Sequence, residues 1–177
     1  PAETVAPALV QLLDTWPASP AVIYGRAYDV LAANTLGEAL YGGFPYSRNL
    51  LQMVFNDPTA PHFYPAWPDV AAATVAGFRM HLGQTPNDPR IQRVLHEMLD
   101  SSPAFGELWS RHDVHGKRLE KKTMRHPQVG DLTLWVQVFD VRDSHGQELV
   151  VYQADPGSPS ADALTLLGML ASATPRV

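Results

Sequence analysis

Residues 126–160 read HPQVGDLTLWVQVFDVRDSHGQELVVYQADPGSPS, and this stretch decides the fold class. Leu132, Leu134, Val136 and Val138 alternate with Thr133, Trp135, Gln137 and Phe139, the period of two that a β-strand imposes on its side chains. Asp143, Ser144, His145 and Gly146 interrupt the alternation, and residues 149–152 (LVVY) begin a second strand. Gly157, Ser158 and Pro159 then stop that strand and supply an N-cap serine and a first-turn proline for a closing helix over 159–171. Both faces of the strand pair are apolar or aromatic, which predicts a sheet covered by helices around an apolar pocket. The pair carries no obvious catalytic residues.

Outward from this pair, residues 117–125 read as a further strand, and the period lengthens upstream of it. Val5, Leu9, Leu12, Leu13 and Trp16 recur at helical spacing until Pro17. Residues 21–25 (AVIYG) and 29–33 (DVLAA) are two short strands, joined by Arg26, Ala27 and Tyr28 without the Asn-Gly or Asp-Gly of a two-residue turn. A helical block follows. Asn34 caps 35–41, residues 48–55 (RNLLQMVF) form a short helix, and 68–82 a longer one with Ala71, Val75, Phe78 and Leu82 on one face. Asp88 with Pro89, and Ser102 with Pro103, each pair a capping side chain with a first-turn proline and start two more helices. The order predicts an α+β domain: an antiparallel five-stranded sheet, a helical block inserted between strands 2 and 3, and flanking N- and C-terminal helices. It is also the element order of a PAS-type domain.

A length of 177 residues suits one domain, and a chain of that size buries about 70% of its unfolded surface without needing disulfides or metals. There is no cysteine, so disulfides, thiol nucleophiles and thiolate metal sites are excluded. A net charge of −5 argues against nucleic-acid binding by this chain itself. No apolar run approaches the ~18 residues of a membrane span, and no signal peptide is evident. A cytoplasmic protein without membrane contact is the expectation. The chain starts at Pro1 and not at Met, as a fragment of a longer protein would.

Three groups of residues invite a chemical reading. His112, Asp113, His115 and His126 are of ligand type for zinc, but 112 and 115 share a face only while a helix lasts, and loop or capping roles are preferred. Lys117, Arg118, Lys121, Lys122 and Arg125 form either an anion contact or, preferred here, the guard of an exposed sheet edge. No nucleophile elbow, zinc-protease motif, P-loop or dinucleotide fingerprint is present, and an enzyme is not expected. Met53, Phe55, Val75, Phe78, Leu82, Phe105, Leu108, Trp109, Trp135 and Phe139 are ordinary core by default and a pocket lining by the sharper alternative.

Whole blocks of the chain resemble a known family. They are PAVIYGRAYDVLAAN (20–34), RNLLQMVFNDP (48–58), YPAWPDVAAATVAGFR (64–79) and NDPRIQRVLHEMLDSSPAFGELWSRHDV (87–114), then RHPQVGDLTLWVQVF (125–139) and ELVVYQADPGSPSADAL (148–164). In this order they resemble the MmyB-like (MltR-like) ligand-binding domain, which follows a helix-turn-helix of the XRE type in bacterial transcription regulators. The resemblance implies a PAS-like sensor, working as a homodimer, with a small fatty-acid-like effector held between sheet and helices. DNA contact would belong to an N-terminal helix-turn-helix outside these 177 residues, and no cofactor beyond a bound lipid is implied.

On this reading Met53, Phe55, Val75, Phe78, Leu82, Leu108, Trp109, Trp135 and Phe139 enclose an acyl chain. One of Arg26, Arg48 and Arg79 would meet a carboxylate head through its bidentate fork. A charge at Phe78 is expected to abolish uptake and spare the fold. Two rival classes remain. One is an interaction module in which the first helix pairs with a second copy; the other is a small hydrolase built on His112 or His126.

Overall fold

The alternating stretch becomes β4 (Gly130–Asp140), paired antiparallel with β5 (Glu148–Gln153) on one side and β3 (Lys121–His126) on the other. The structure, a computed structural model, describes residues 3–46, 48–111 and 120–173. β1 (Ala21–Tyr24) joins the far side of β5 and β2 (Val30–Ala33) closes that edge, giving the order β2-β1-β5-β4-β3 with every pairing antiparallel. The helices inserted between β2 and β3 are α2 (Thr35–Tyr41), α3 (Leu50–Phe55), α4 (Ala60–Phe63), α5 (Trp67–Gln84), α6 (Pro89–Ser101) and α7 (Pro103–Ser110). α1 (Pro7–Leu13) precedes the sheet and α8 (Pro159–Ala173) follows it. The expected α+β, PAS-like architecture is therefore the observed one.

Register fixes the two faces of the sheet. Val136 lies opposite Tyr152, Val138 opposite Val150, Asp140 and Tyr24 opposite Glu148, and Lys122 opposite Leu134. These residues share the inner face, which packs with Met124 and Leu132 against the helical block. Ala21, Ile23, Leu149 and Val151 point the other way, where Leu13, Leu9, Val5 and Trp16 cover them. The first helix thus folds back on its own sheet. Its Leu12 stays outside the packed stripe, 40% exposed.

Local chemistry explains where the helices start. The side chains of Asn34, Asn49, Asp88 and Ser102 each accept a backbone N–H in the first turn of α2, α3, α6 and α7. Asn49, not Arg48, is the cap of α3, so that helix begins two residues later than periodicity suggests. α4, hidden among prolines in the sequence, is a single turn entered through Asp57, which accepts both the backbone N–H and the hydroxyl of Thr59.

The connection of β1 to β2 is a turn followed by a left-handed residue. Tyr28 N–H donates to the Gly25 carbonyl at 2.9 Å, Gly25 N–H to that of Asp29 at 2.8 Å, and Tyr28 has φ 62°. Three-residue hairpin loops favour glycine at that last position. A tyrosine there carries backbone strain, of a kind found at binding sites.

Candidate functional site

Between the inner face of the sheet and α5 lies a cavity of about 480 Å³. Its floor is Tyr24 of β1, Glu148, Val150 and Tyr152 of β5, Val136, Val138 and Asp140 of β4, and Lys122 of β3. Its roof is the face of α5 that bears Ala73, Thr74, Ala76, Gly77 and Met80, with Tyr28 and Leu50 at the side. The space persists because most of the roof residues are small. A larger groove of about 870 Å³ runs between α1, α2 and α8, but Asp14 is its one charged lining residue, whereas charged groups stand at both ends of the sheet cavity.

The strained Tyr28 is built into this wall. Its ring lies 6.2 Å from Tyr24, 6.1 Å from Phe78 and 5.1 Å from His81. Its hydroxyl rests on the bare Cα of Gly77, where a Cβ would collide with it. The glycine and the tyrosine are therefore matched across the cavity wall.

At the β4–β5 hairpin end the buried His81 ring bonds the Arg26 carbonyl through Nδ1 at 2.9 Å and Glu148 Oε1 through Nε2 at 3.0 Å. Burial on its own would depress the His81 pKa. The Glu148 carboxylate, the Arg26 carbonyl and the charge of Asp140 outweigh it, and the pKa is raised above 6.5. Arg26 is tied in turn to the N-terminal segment: its N–H donates to Glu3 Oε2 at 3.2 Å, and its guanidinium pairs with Glu3 at 3.3 Å and Asp88 at 3.2 Å. Gln147 adds a bond to the Thr4 carbonyl at 3.0 Å.

Toward the other end stand buried phenols. Tyr41 donates its hydroxyl proton to the Tyr152 hydroxyl at 2.6 Å, and burial pushes the pKa values of Tyr24, Tyr41, Tyr64 and Tyr152 above their ordinary value, so all four stay protonated. Beyond them Lys122 lines the cavity from the inner face of β3. Desolvation pushes its pKa down to about 8, and no described residue offers it a hydrogen bond or ion pair. Its neighbour Lys121 faces outward, 4.2 Å over the Trp135 ring and 3.1 Å from Asp155.

The residues expected to line a pocket fall elsewhere. Trp135 and Phe139 occupy the outer face of β4, because the alternation that sends Val136 and Val138 inward sends them out. Trp135 Nε1 bonds Asp155 at 2.6 Å and Phe139 is 52% exposed. Val75, Phe78 and Leu82 lie on the helix-facing side of α5. Phe78 is fully buried beside Phe105 and Trp109, while Met53, Phe55 and Leu108 pack in the same cluster. A charge at Phe78 would strike the core and not spare the fold. Of the arginines, Arg26 is held by Glu3 and Asp88, and Arg48 pairs with Glu38 at the surface. Arg79 stacks 4.4 Å over Trp109 and donates to its carbonyl at 2.6 Å.

His126 is buried with both ring nitrogens engaged, Nε2 on the Ala39 carbonyl at 3.0 Å and Nδ1 accepting Gln128 N–H at 3.2 Å. His112, Asp113, His115, Lys117 and Arg118 lie outside the described residues. Among the described residues no group of three or more His, Cys, Asp or Glu could hold a metal. β3 is the sheet edge, as its lysines suggest, yet Lys122 turns inward from it.

The chain is thus a PAS-like α+β domain, a five-stranded antiparallel sheet roofed by helices with a cavity beneath α5. Residues 5–167 match the MmyB-like transcription regulator ligand binding domain, and the chain belongs to that family. No curated protein matches it. Membership makes the chain a ligand-sensing regulatory domain and points away from catalysis. Among the described residues no helix is long and apolar enough to cross a membrane.

Proposed function

We propose that this domain senses a small hydrophobic, fatty-acid-like effector held in the cavity between the sheet and α5, within a longer regulator whose DNA contacts lie in a helix-turn-helix segment. The observation that carries this reading is the cavity itself. Its volume of about 480 Å³ falls within the 300–1,000 Å³ typical of ligand pockets. Val136, Val138 and Val150 with Ala73 and Ala76 give it apolar walls, and its charged lining residues, Lys122 and the pair Asp140 and Glu148, stand toward opposite ends. Each methylene of a ligand buried there contributes about 0.8 kcal/mol.

Organic extraction of the purified chain followed by mass spectrometry tests the proposal, together with melting in the presence of n-alkanoates of graded length. A near-stoichiometric lipid, or a melting temperature that climbs with ligand concentration, is the expected result, since a ligand selective for the folded chain must stabilise it. Ala76→Phe, which fills the roof, should remove that response and keep the fold. A clean extract with no thermal response to any chain length would overturn the reading.

A further inference from the structure

We infer that Lys122 is the counter-ion for the head of the ligand: the cavity takes a monoanionic carboxylate head-first toward β3, and its far end admits an uncharged tail. This rests on the reading of the cavity as a ligand site.

Four observations lead to it. Lys122 is on the inner face of β3, opposite Leu134, and lines the cavity. It is desolvated, with its pKa pushed down to about 8, so it is still protonated at neutral pH, and no described residue neutralises it. A partly buried cation without a partner is costly unless an anion arrives from outside. The arginines that could compete are engaged elsewhere, Arg26 by two carboxylates and Arg79 on Trp109, while Arg48 is exposed beside Glu38.

The opposite end completes the argument. Glu148 and Asp140 stand there, with the proton-sharing contact of His81 already taken by Glu148 and the Arg26 carbonyl. From the level of Leu134 to Asp140 the strand runs roughly 20 Å at about 3.3 Å per residue. A cation and a carboxylate pair therefore mark the two ends of a trough with apolar walls. An acid with one charge satisfies both ends; a second carboxylate would meet Glu148 and Asp140.

Isothermal titration of the chain with decanoate, 1-decanol and decanedioate separates the possibilities. Wild type should bind decanoate at least tenfold more tightly than 1-decanol, and decanedioate more weakly than decanoate. Lys122→Met should erase the preference for decanoate over 1-decanol, with 1-decanol bound as before, and Lys122→Arg should retain most of it. The retained 1-decanol affinity also shows that the Met variant keeps its cavity. If Lys122→Met still prefers decanoate, or wild type shows no preference, Lys122 is not the anchor, although the cavity stands as a ligand site. If wild type binds none of the three, the cavity reading falls and this inference with it.

Discussion

Tyr28 and Gly77 meet so closely that no side chain fits at Gly77 while the Tyr28 hydroxyl is in place. A methyl group at Gly77 would occupy the place of the Tyr28 hydroxyl, and the ring cannot swing away because Phe78 and His81 flank it. Gly77→Ala should therefore destabilise the chain by about 1–3 kcal/mol, the usual range for overpacking. Tyr28→Phe in the same chain should return most of the loss, because the ring carbon behind the hydroxyl is 3.4 Å from the added Cβ. A double-mutant cycle by urea unfolding measures the coupling. Simple additivity of the two changes would contradict the contact.

Lys122 makes a second prediction at this scale. In the folded chain it gives up its proton near pH 8, and in the unfolded chain near 10.5. Between those values the unfolded chain binds more protons, so stability rises with pH. Below pH 8 the full cost of the buried charge is present. Lys122→Met should thus raise the melting temperature of the ligand-free chain at pH 7. Discounted for the contact of the side chain with water, the gain is of order 1–2 kcal/mol. It should fade as pH climbs from 8 to 10.5, which melting curves across that range will show. A gain independent of pH would mean that packing, not charge, is responsible.

Among the elements, Asn34 holds three together. Its Oδ1 accepts the N–H groups of Ala21 at 3.0 Å and Gly37 at 2.8 Å, and its Nδ2 donates to the carbonyls of Trp16 at 3.2 Å and Ser19 at 2.8 Å. One buried side chain thus caps α2, extends the edge of β1 and receives the end of the α1 segment. An ordinary cap is worth about 1 kcal/mol. Asn34→Ala should cost more, about 2–4 kcal/mol, because it also strands buried backbone groups. Equilibrium unfolding measures this, and a loss confined to about 1 kcal/mol would reduce Asn34 to a simple cap.

The same scale shows what could be read beforehand. Helix starts at Asn34, Asp88 and Ser102 were legible because a cap is a local event: one side chain bonds the turn that follows it. Strand alternation was legible for the same reason. The site was not. Alternation separates Val136 and Val138 from Trp135 and Phe139, but both sets are apolar, and only the pairing of β4 with β5 and β3 decides which set faces the helices. On α5 periodicity marks the stripe of large residues, Val75, Phe78 and Leu82, yet a cavity is made by what is small: Ala73, Ala76 and Gly77. In the sequence Lys122 is one of a run of edge lysines. Its difference from Lys121 is one step of the pleat, which means something only once the inner face is known.

At the scale of the whole molecule, the antiparallel order β2-β1-β5-β4-β3 places the two strands from the start of the chain against the last strand, and the helical block between them becomes the roof. The cavity is therefore bounded by parts of the chain more than a hundred residues apart. It forms only after long-range pairing is complete, and a ligand bound there stabilises the assembled fold in preference to any partly folded form.

The turn at Arg26 has a consequence of a different kind. Its carbonyl holds His81, the partner of Glu148 in the cavity floor, while its N–H and guanidinium hold Glu3 in the N-terminal segment. A ligand that contacted Glu148 would therefore bear on the same few bonds that seat that segment. Reciprocity then applies: an occupant that shifts His81 loosens or tightens the grip on Glu3 by the factor with which Glu3 changes the occupant's affinity. Couplings of this sort amount to about 1–3 kcal/mol, enough to change an equilibrium between 5- and 150-fold. Information need not cross the core of this domain, because the shortest route from cavity to N-terminal segment is the width of one turn.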